Sequence, residues 1–196
     1  MIRRAVIGAA LVVSVSILTA CGDDEGEPTV EDPTPLSSAA PSGERVCDFV
    51  PRASVEQALG TDSFEVDGGH VSRDSAGALS GAGCRVSVDG TGVLAIRVDF
   101  MLGYAGNGFR DGLQDDRYNQ LPADAGLGYS WTDKADDGRA TAEARLSRGD
   151  YLIETQVVGI AEGRDPEADA VALAQQAGET LEIPDAWALP GTPPSR

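Results

Sequence analysis

The chain is short of the residues on which most chemistry draws. Its 196 residues include one histidine, His70, one lysine, Lys134, three cysteines and ten aromatic side chains. A single imidazole with three thiols argues against the usual zinc ligand sets. A Ser-His-Asp site would have to use His70 with Ser72, Ser75 or Ser80, and no Gly-x-Ser-x-Gly elbow accompanies them. The plain reading of His70 is a loop or strand-edge histidine. Positive charge is scarce as well: 15 Lys and Arg stand against 32 Asp and Glu, for a net charge of −17. That balance argues against nucleic acid and against anionic lipid headgroups. It favours a cationic partner, and it equally serves solubility in a secreted protein. Acid pairs arise by chance in so acidic a chain. Asp115-Asp116, and Asp133 with Asp136-Asp137, do not match the Asp-x-Asp-x-Asp-Gly calcium loop with its distal Glu. No metal or cofactor is expected.

Long apolar runs are also missing, with one exception. Arg3 and Arg4 precede sixteen uncharged residues, Ala5 to Ala20, and Leu18-Thr19-Ala20-Cys21 closes the run. The run is shorter than the roughly 20 residues a membrane-spanning helix needs, and it fits a signal-peptide core. Positive start, apolar core and Leu-x-Ala-Cys occur in the order of a bacterial lipoprotein signal peptide, which the segment resembles. The resemblance implies that Cys21 receives a diacylglycerol and becomes the mature N-terminus, with residues 1–20 removed. The alternative is a plain secretory signal or an uncleaved anchor that happens to hold a cysteine. Two or more acyl chains, at about 0.8 kcal/mol per buried methylene, hold a protein on a membrane stably. The expected location is the outer side of the cell membrane.

With Cys21 assigned to lipid, Cys47 and Cys84 remain as an even pair in an oxidising compartment, and one disulfide is the natural reading. Residues 21–45 read as a disordered linker. Past Cys21, the stretch carries seven acids, four prolines and almost no large apolar residue, which is too little to build a core. Residues 46–184 are long enough for a single globular domain, and 185–196 form a Pro-rich tail with Trp187 and Leu189.

Within the domain, Ser54 with Gln57 three residues on reads as a capping box opening a short helix that Gly60 ends. Phe64, Val66 and Val71 form a weak strand broken at Gly68-Gly69, and 72–83 reads as a glycine-rich loop. Cys84, Val86 and Val88 alternate with polar residues, as do Leu94, Ile96, Val98 and Phe100 after Gly90-Thr91-Gly92. For both apolar sets to share a face the connection must hold an odd number of residues, which a three-residue loop supplies. In 103–126, Asn107 is placed to cap a helix carrying Phe109, Leu113 and Arg117, with Gly112 against it. Tyr129 and Trp131 lie on a strand, and Asp136-Asp137-Gly138 is a turn. Ala140 to Leu146 and Tyr151 to Val157 pair across Gly149-Asp150. That register sets Leu146 opposite Ile153 on one face and Arg145 opposite Glu154 on the other. Arg148-Gly149-Asp150, a tripeptide that some adhesion receptors read, is explained by the turn. The alanine run predicts a closely packed helix. The last helix, capped by Asp165 with Pro166 in its first turn, is the one expected there. The fold class is α+β: an antiparallel sheet of about five to six strands against a short N-terminal and a C-terminal helix.

The order of lipobox, acidic Ser/Pro linker, Cys47-Asp48-Phe49-Val50-Pro51, Ser54-Val55 to Leu59-Gly60, then Cys84-Arg85-Val86, resembles the actinobacterial lipoproteins of domain-of-unknown-function family 3558. The likeness covers about 46–183. It implies an envelope protein with a Cys-Asp start before a short helix and a second cysteine on an antiparallel sheet. The family brings no catalytic residues to transfer. A fold-level analogy to PsbP-like α+β domains implies helices over a sheet and no activity.

Half of the ten aromatic residues, Tyr104, Phe109, Tyr118, Tyr129 and Trp131, fall in or beside the irregular segment. They fill core around a poorly formed helix, or they line a pocket; Tyr104, Phe109, Tyr129 and Trp131 are the candidate ligand contacts. The expected function is therefore binding, not catalysis, by a lipid-anchored extracytoplasmic domain. Its partners are the membrane through Cys21, and a small ligand or another envelope component. The alternatives are an interaction module without a pocket and a carboxylate-based hydrolase, which would need two carboxylates roughly 5–10 Å apart in a cleft.

Overall fold

The computed structural model describes residues 34–101, 105–159 and 161–184, with the side chains of 105–107 left out. These belong to one compact unit, 32–196. The apolar run 5–20, Cys21, Tyr104 and the tail with Trp187 and Leu189 lie outside the described residues. No described helix is long and apolar enough to cross a membrane.

A short hairpin opens the domain: β1 (Arg45–Val46) pairs with β2 (Val50–Pro51). Cys47 and Asp48 between them take the left-handed conformation, φ 55° and 70°, which non-glycine residues adopt sparingly. The turn drives Phe49, fully buried, into the core, and Cys47 bonds to Cys84 with a Cα–Cα distance of 5.5 Å. Closing a loop of this length contributes about 4 kcal/mol by the chain-entropy argument. Gly69 lies against the bridge, where any Cβ would overlap the Cys47 side chain.

Helix α1 (Arg52–Leu59) follows β2 without a gap. Its N-cap is Pro51 and no side chain caps it, so the Ser54 capping box does not form; Ser54 is buried inside the helix. The earlier start is fixed by the hairpin, since the Arg52 N–H donates to the Glu44 carbonyl at 2.9 Å. The end is as read: Gly60, φ 67°, donates to the Glu56 carbonyl.

The main sheet has seven antiparallel strands, one or two more than the periodicity predicts, in the order β3 (Glu65–Arg73), β4 (Leu79–Val88), β5 (Thr91–Phe100), β9 (Tyr151–Val158), β8 (Ala140–Arg148), β7 (Leu127–Lys134) and β6 (Asn119–Gln120). Strand β3 (Glu65–Arg73) runs through Gly68-Gly69 with a bulge between Val66 and Gly68. Strand β4 (Leu79–Val88) takes in 79–83 of the predicted loop 72–83, and β3 takes in 72–73. Only 74–78 turns, with the Asp74 carboxylate accepting the Ala76 and Ala78 N–H groups. Asp89-Gly90, both in the left-handed region, joins β4 to β5 (Thr91–Phe100). The loop thus has two residues, not three, and a register shift beyond Val86 restores the shared face, with Val86 opposite Leu94.

Helix α2 (Ala105–Leu113) contains Asn107 and stops short of Arg117, so Asn107 is not its cap. Then come β6 (Asn119–Gln120), β7 (Leu127–Lys134), β8 (Ala140–Arg148) and β9 (Tyr151–Val158). The β8–β9 hairpin turns at Gly149-Asp150 in the predicted register, with Leu146 opposite Ile153 and Arg145 opposite Glu154. Helix α3 (Pro166–Thr180) has Asp165 as N-cap, accepting the Glu167 and Ala168 N–H groups, and Pro166 in its first turn.

One face of the sheet meets α3. Ala142 and Ala144 lie under Ala170, Leu173, Ala174 and Ala177, all nearly without exposure. Small side chains on both surfaces let helix and sheet approach closely, as the alanine run predicts. Arg164 and Asp169, 5% and 1% exposed, form a buried ion pair beside the start of α3. The end of the predicted linker is part of this layer. Leu36 is 8% exposed. Gln176 donates to the Ser37 carbonyl at 2.6 Å, Gln57 and Arg164 donate to the Thr34 carbonyl, and the Ala40 N–H donates to Glu179. Residues 34–45 therefore belong to the domain: one leucine and four side-chain hydrogen bonds hold a stretch whose composition reads as disordered.

Candidate functional site

Among the described residues the opposite face of the sheet is covered only toward the β7 end. There Phe109 of α2 and Met101, just after β5, pack with Tyr129 of β7 and Leu152 of β9 in a second core, edged by Leu113, Tyr118, Leu127 and Trp131. Three of the four predicted ligand contacts meet here, and they pack on one another. The ring centroids of Phe109 and Tyr129 are 5.5 Å apart and those of Tyr129 and Trp131 5.8 Å, with Tyr118 stacked on Tyr129 at 4.9 Å. Tyr129 is 1% exposed and Phe109 4%. Gly112 is required at this contact, since a Cβ there would overlap the Tyr129 ring. Phe109 and Tyr129 fill core, and Tyr118 and Trp131, both half-buried, also meet the open surface. Tyr104 falls outside the described residues.

The recess lies at the other end of the same face. Its floor and posts alternate like a checkerboard. In one row across β3, β4 and β5 stand His70, Gly83 and Arg97. In the next stand Gly68, Arg85 and Ala95, and on the other side Ser72, Gly81 and Asp99. Each long side chain is thus flanked by glycine or alanine, and the missing side chains leave a recess of about 710 Å³. The His70 ring leans over Gly83, where a Cβ would come within 2.9 Å of Cε1. The Arg85 guanidinium reaches over Gly68. Arg97 pairs with Asp99 at 2.6 Å; Arg85 makes no ion pair among the described residues. His70, Arg85 and Arg97 are all exposed.

A second, smaller depression of about 210 Å³ continues the recess toward Trp131, lined by Ala95, Arg97, Glu143, Arg145 and Glu154 among others. Arg145 pairs with Glu154 at 2.9 Å, donates to the Tyr129 hydroxyl and lies 5.4 Å from the Trp131 ring centroid. Burial works against its charge, yet the Tyr129 hydroxyl and the Glu154 and Glu143 carboxylates outweigh that and raise its pKa. Arg145 thereby joins the charged ladder to the aromatic core.

Sequence reading placed Arg85, Ala95, Arg97 and Asp99 on the polar side of their strands. It missed the recess because Gly81 and Gly83 were assigned to a loop; His70, read as a loop or strand-edge histidine, does lie on the edge strand β3. The available signal was period two: Gly68, His70 and Ser72, then Gly81, Gly83 and Arg85, each alternate along a strand.

Other sequence candidates have structural duties. Asp115 chelates Arg117, and Asp137 accepts from Arg139. Among the described residues no group of three or more His, Cys, Asp or Glu is placed to hold a metal ion. A cleft of about 420 Å³ beside α3 is lined by Asp124, Asp165 and Glu167. There Asp165 caps the helix, and Glu167 accepts from Asn119 at 2.8 Å and Ser130 at 2.6 Å. Arg148-Gly149-Asp150 is a hairpin turn.

No family model, curated protein or solved structure matches this chain, so the likeness to family 3558 rests on the quoted residues alone.

Proposed function

We propose that this protein is a lipid-anchored, extracytoplasmic binding domain, held at the membrane by Cys21, that takes a small ligand or another envelope component on the open face of its sheet. The lipobox supports the anchor, the Cys47–Cys84 bridge fits an oxidising compartment, and the residue order supports membership of family 3558. Helices on the other face accord with a PsbP-like arrangement. The observation that carries the binding reading is the 710 Å³ recess on the open face. An unused sheet face is ordinarily a flat, polar, solvated surface. Here glycines replace side chains at three outward positions around exposed cationic groups. Binding pockets concentrate a few convergent polar groups in a concavity of this size.

A second reading is favoured by β3 itself. It is an edge strand nine residues long, Val66 is 49% exposed, and such an edge accepts an added strand from a partner protein. A hydrolase has less support, because two of the three carboxylates in the cleft beside α3, Asp165 and Glu167, are engaged in capping and hydrogen bonds.

Native mass spectrometry of the protein, gently extracted from its own membranes, tests both parts. A covalent lipid mass with loss of residues 1–20 is expected, and Cys21→Ala should release the protein to the medium. A non-covalent mass is expected on the wild type and not on Ala95→Leu, which fills the recess from its floor. If the mass stays on Ala95→Leu, the ligand sits elsewhere.

A further inference from the structure

His70, Arg85 and Arg97 stand around Gly83: His70 one strand away, Arg97 one strand away on the other side, and Arg85 two residues along. Neighbouring strands are ~4.8 Å apart and alternate residues of one strand ~6.6 Å apart, so three donor-bearing side chains border a floor about one small functional group wide. Among the described residues the only carboxylate lining the recess is Asp99, which is already paired with Arg97. A local cationic excess of this kind runs against the chain's net charge of −17. Arg85, exposed and outside any ion pair among the described residues, is not needed to balance a neighbouring acid. Its guanidinium is free to present a planar fork, which matches carboxylate or phosphate oxygens with two parallel hydrogen bonds. Glycine at 68 and 81 lets such a group lie against the backbone without meeting a Cβ, and the His70 ring, which lies over Gly83, borders it.

From this arrangement we infer that the recess is an anion subsite, which takes the carboxylate or phosphate group of a small ligand, with Arg85 as principal contact and Arg97 and His70 beside it. The inference rests on the binding reading above and names the chemistry of that site. A chain of net charge −17 repels a long polyanion, whose charges would extend beyond Arg85 and Arg97. A single anionic group at contact distance feels the nearest charges most, because salt screens the rest beyond ~8 Å. The recess therefore selects a compact anion, or one anionic end of a larger neutral molecule.

Amide NMR spectra of the soluble Cys21→Ala protein, titrated with inorganic phosphate and with acetate at constant ionic strength, test it. Saturable shifts centred on Gly68, Gly81, Gly83 and Ala95 are expected from at least one of the two anions. Arg85→Ala should weaken that binding about tenfold or more, Arg97→Ala less, and Arg117→Ala, on a distant turn, should leave it unchanged. Vesicles of phosphatidylcholine with and without phosphatidic acid separate the sources. Binding only to the anionic vesicles would assign the phosphate to a lipid headgroup, and binding to free phosphate alone would assign it to a soluble ligand. Absence of saturable shifts with every probe, or shifts that survive Arg85→Ala, would overturn the anion subsite. If the extracted protein nevertheless carries a mass that Ala95→Leu removes, the binding reading stands without it.

Discussion

The two faces of the sheet are built from the same strands, yet they are opposite in design. Beneath α3, small residues are used to bring layers together: Ala142 and Ala144 meet Ala170, Ala174 and Ala177 with no room left. On the open face, Gly68, Gly81, Gly83 and Ala95 are also small, but among the described residues no helix packs on them, and only the Arg85 and His70 side chains lean over Gly68 and Gly83. The same lack of side-chain volume gives close packing on one side and a recess on the other. What differs is the neighbour. On the α3 side Ala142 and Ala144 face the apolar side of a helix, whereas on the open side the small residues alternate with His70, Arg85 and Arg97, and a helix laid there would strand the two arginine charges. Stability is thus concentrated on one face, and the other is free to carry function.

The contrast can be broken most severely at the Arg164–Asp169 pair. Arg164→Met leaves Asp169 buried without its partner and should cost about 3–5 kcal/mol in urea denaturation. Loss of the Thr34 carbonyl contact should also loosen residues 34–40, seen as faster amide exchange there.

A matched pair of substitutions sharpens the comparison. Ala144→Leu adds volume where helix and sheet are in contact, and should cost about 1–3 kcal/mol. Ala95→Leu adds the same volume to the open face, and its stability should stay within about 0.5 kcal/mol of wild type. Equal losses would mean that the recess is closed in solution.

The smallest effect concerns Asp115, in the turn after α2. Hydrogen bonds from the Arg117 side chain and then its backbone N–H hold the carboxyl down to about 2. A depressed folded pKa stabilises above the unfolded value, about 3.9, and the contribution is lost as pH falls toward 2. The pair is solvent-exposed, so its effect on stability is slight. Carbon-detected titration should find the Asp115 carboxyl near 2 in the wild type and back in the ordinary range in Arg117→Ala.

Most of the covered face was legible in the sequence. Alternation in 84–86 and 94–98, the Gly149-Asp150 register and the Asp165-Pro166 start of α3 all depend on local pattern and survive folding unchanged. The open face was not. Its strands β3 and β4 carry glycine and serine where strands are recognised by branched and aromatic residues, and only pairing with β5 holds them extended. The aromatic residues were read correctly as a cluster, but a sequence does not tell a filled core from a lined pocket. Gly112 decides between them, because its missing Cβ lets α2 close onto Tyr129. Residues 34–45 misled in the other direction, since their order comes from Gln57, Arg164, Gln176 and Glu179, all distant in sequence.

The central claim is that the open face, and not the groove beside α3 or the aromatic core, receives the ligand. Hydrogen–deuterium exchange, comparing protein carrying its co-extracted ligand with protein stripped of it, tests this most directly. Slower exchange is expected in 68–72, 81–85 and 95–99, with 105–131 and α3 unchanged. Protection confined to α3 and 121–126, or to 109–131, would contradict the account.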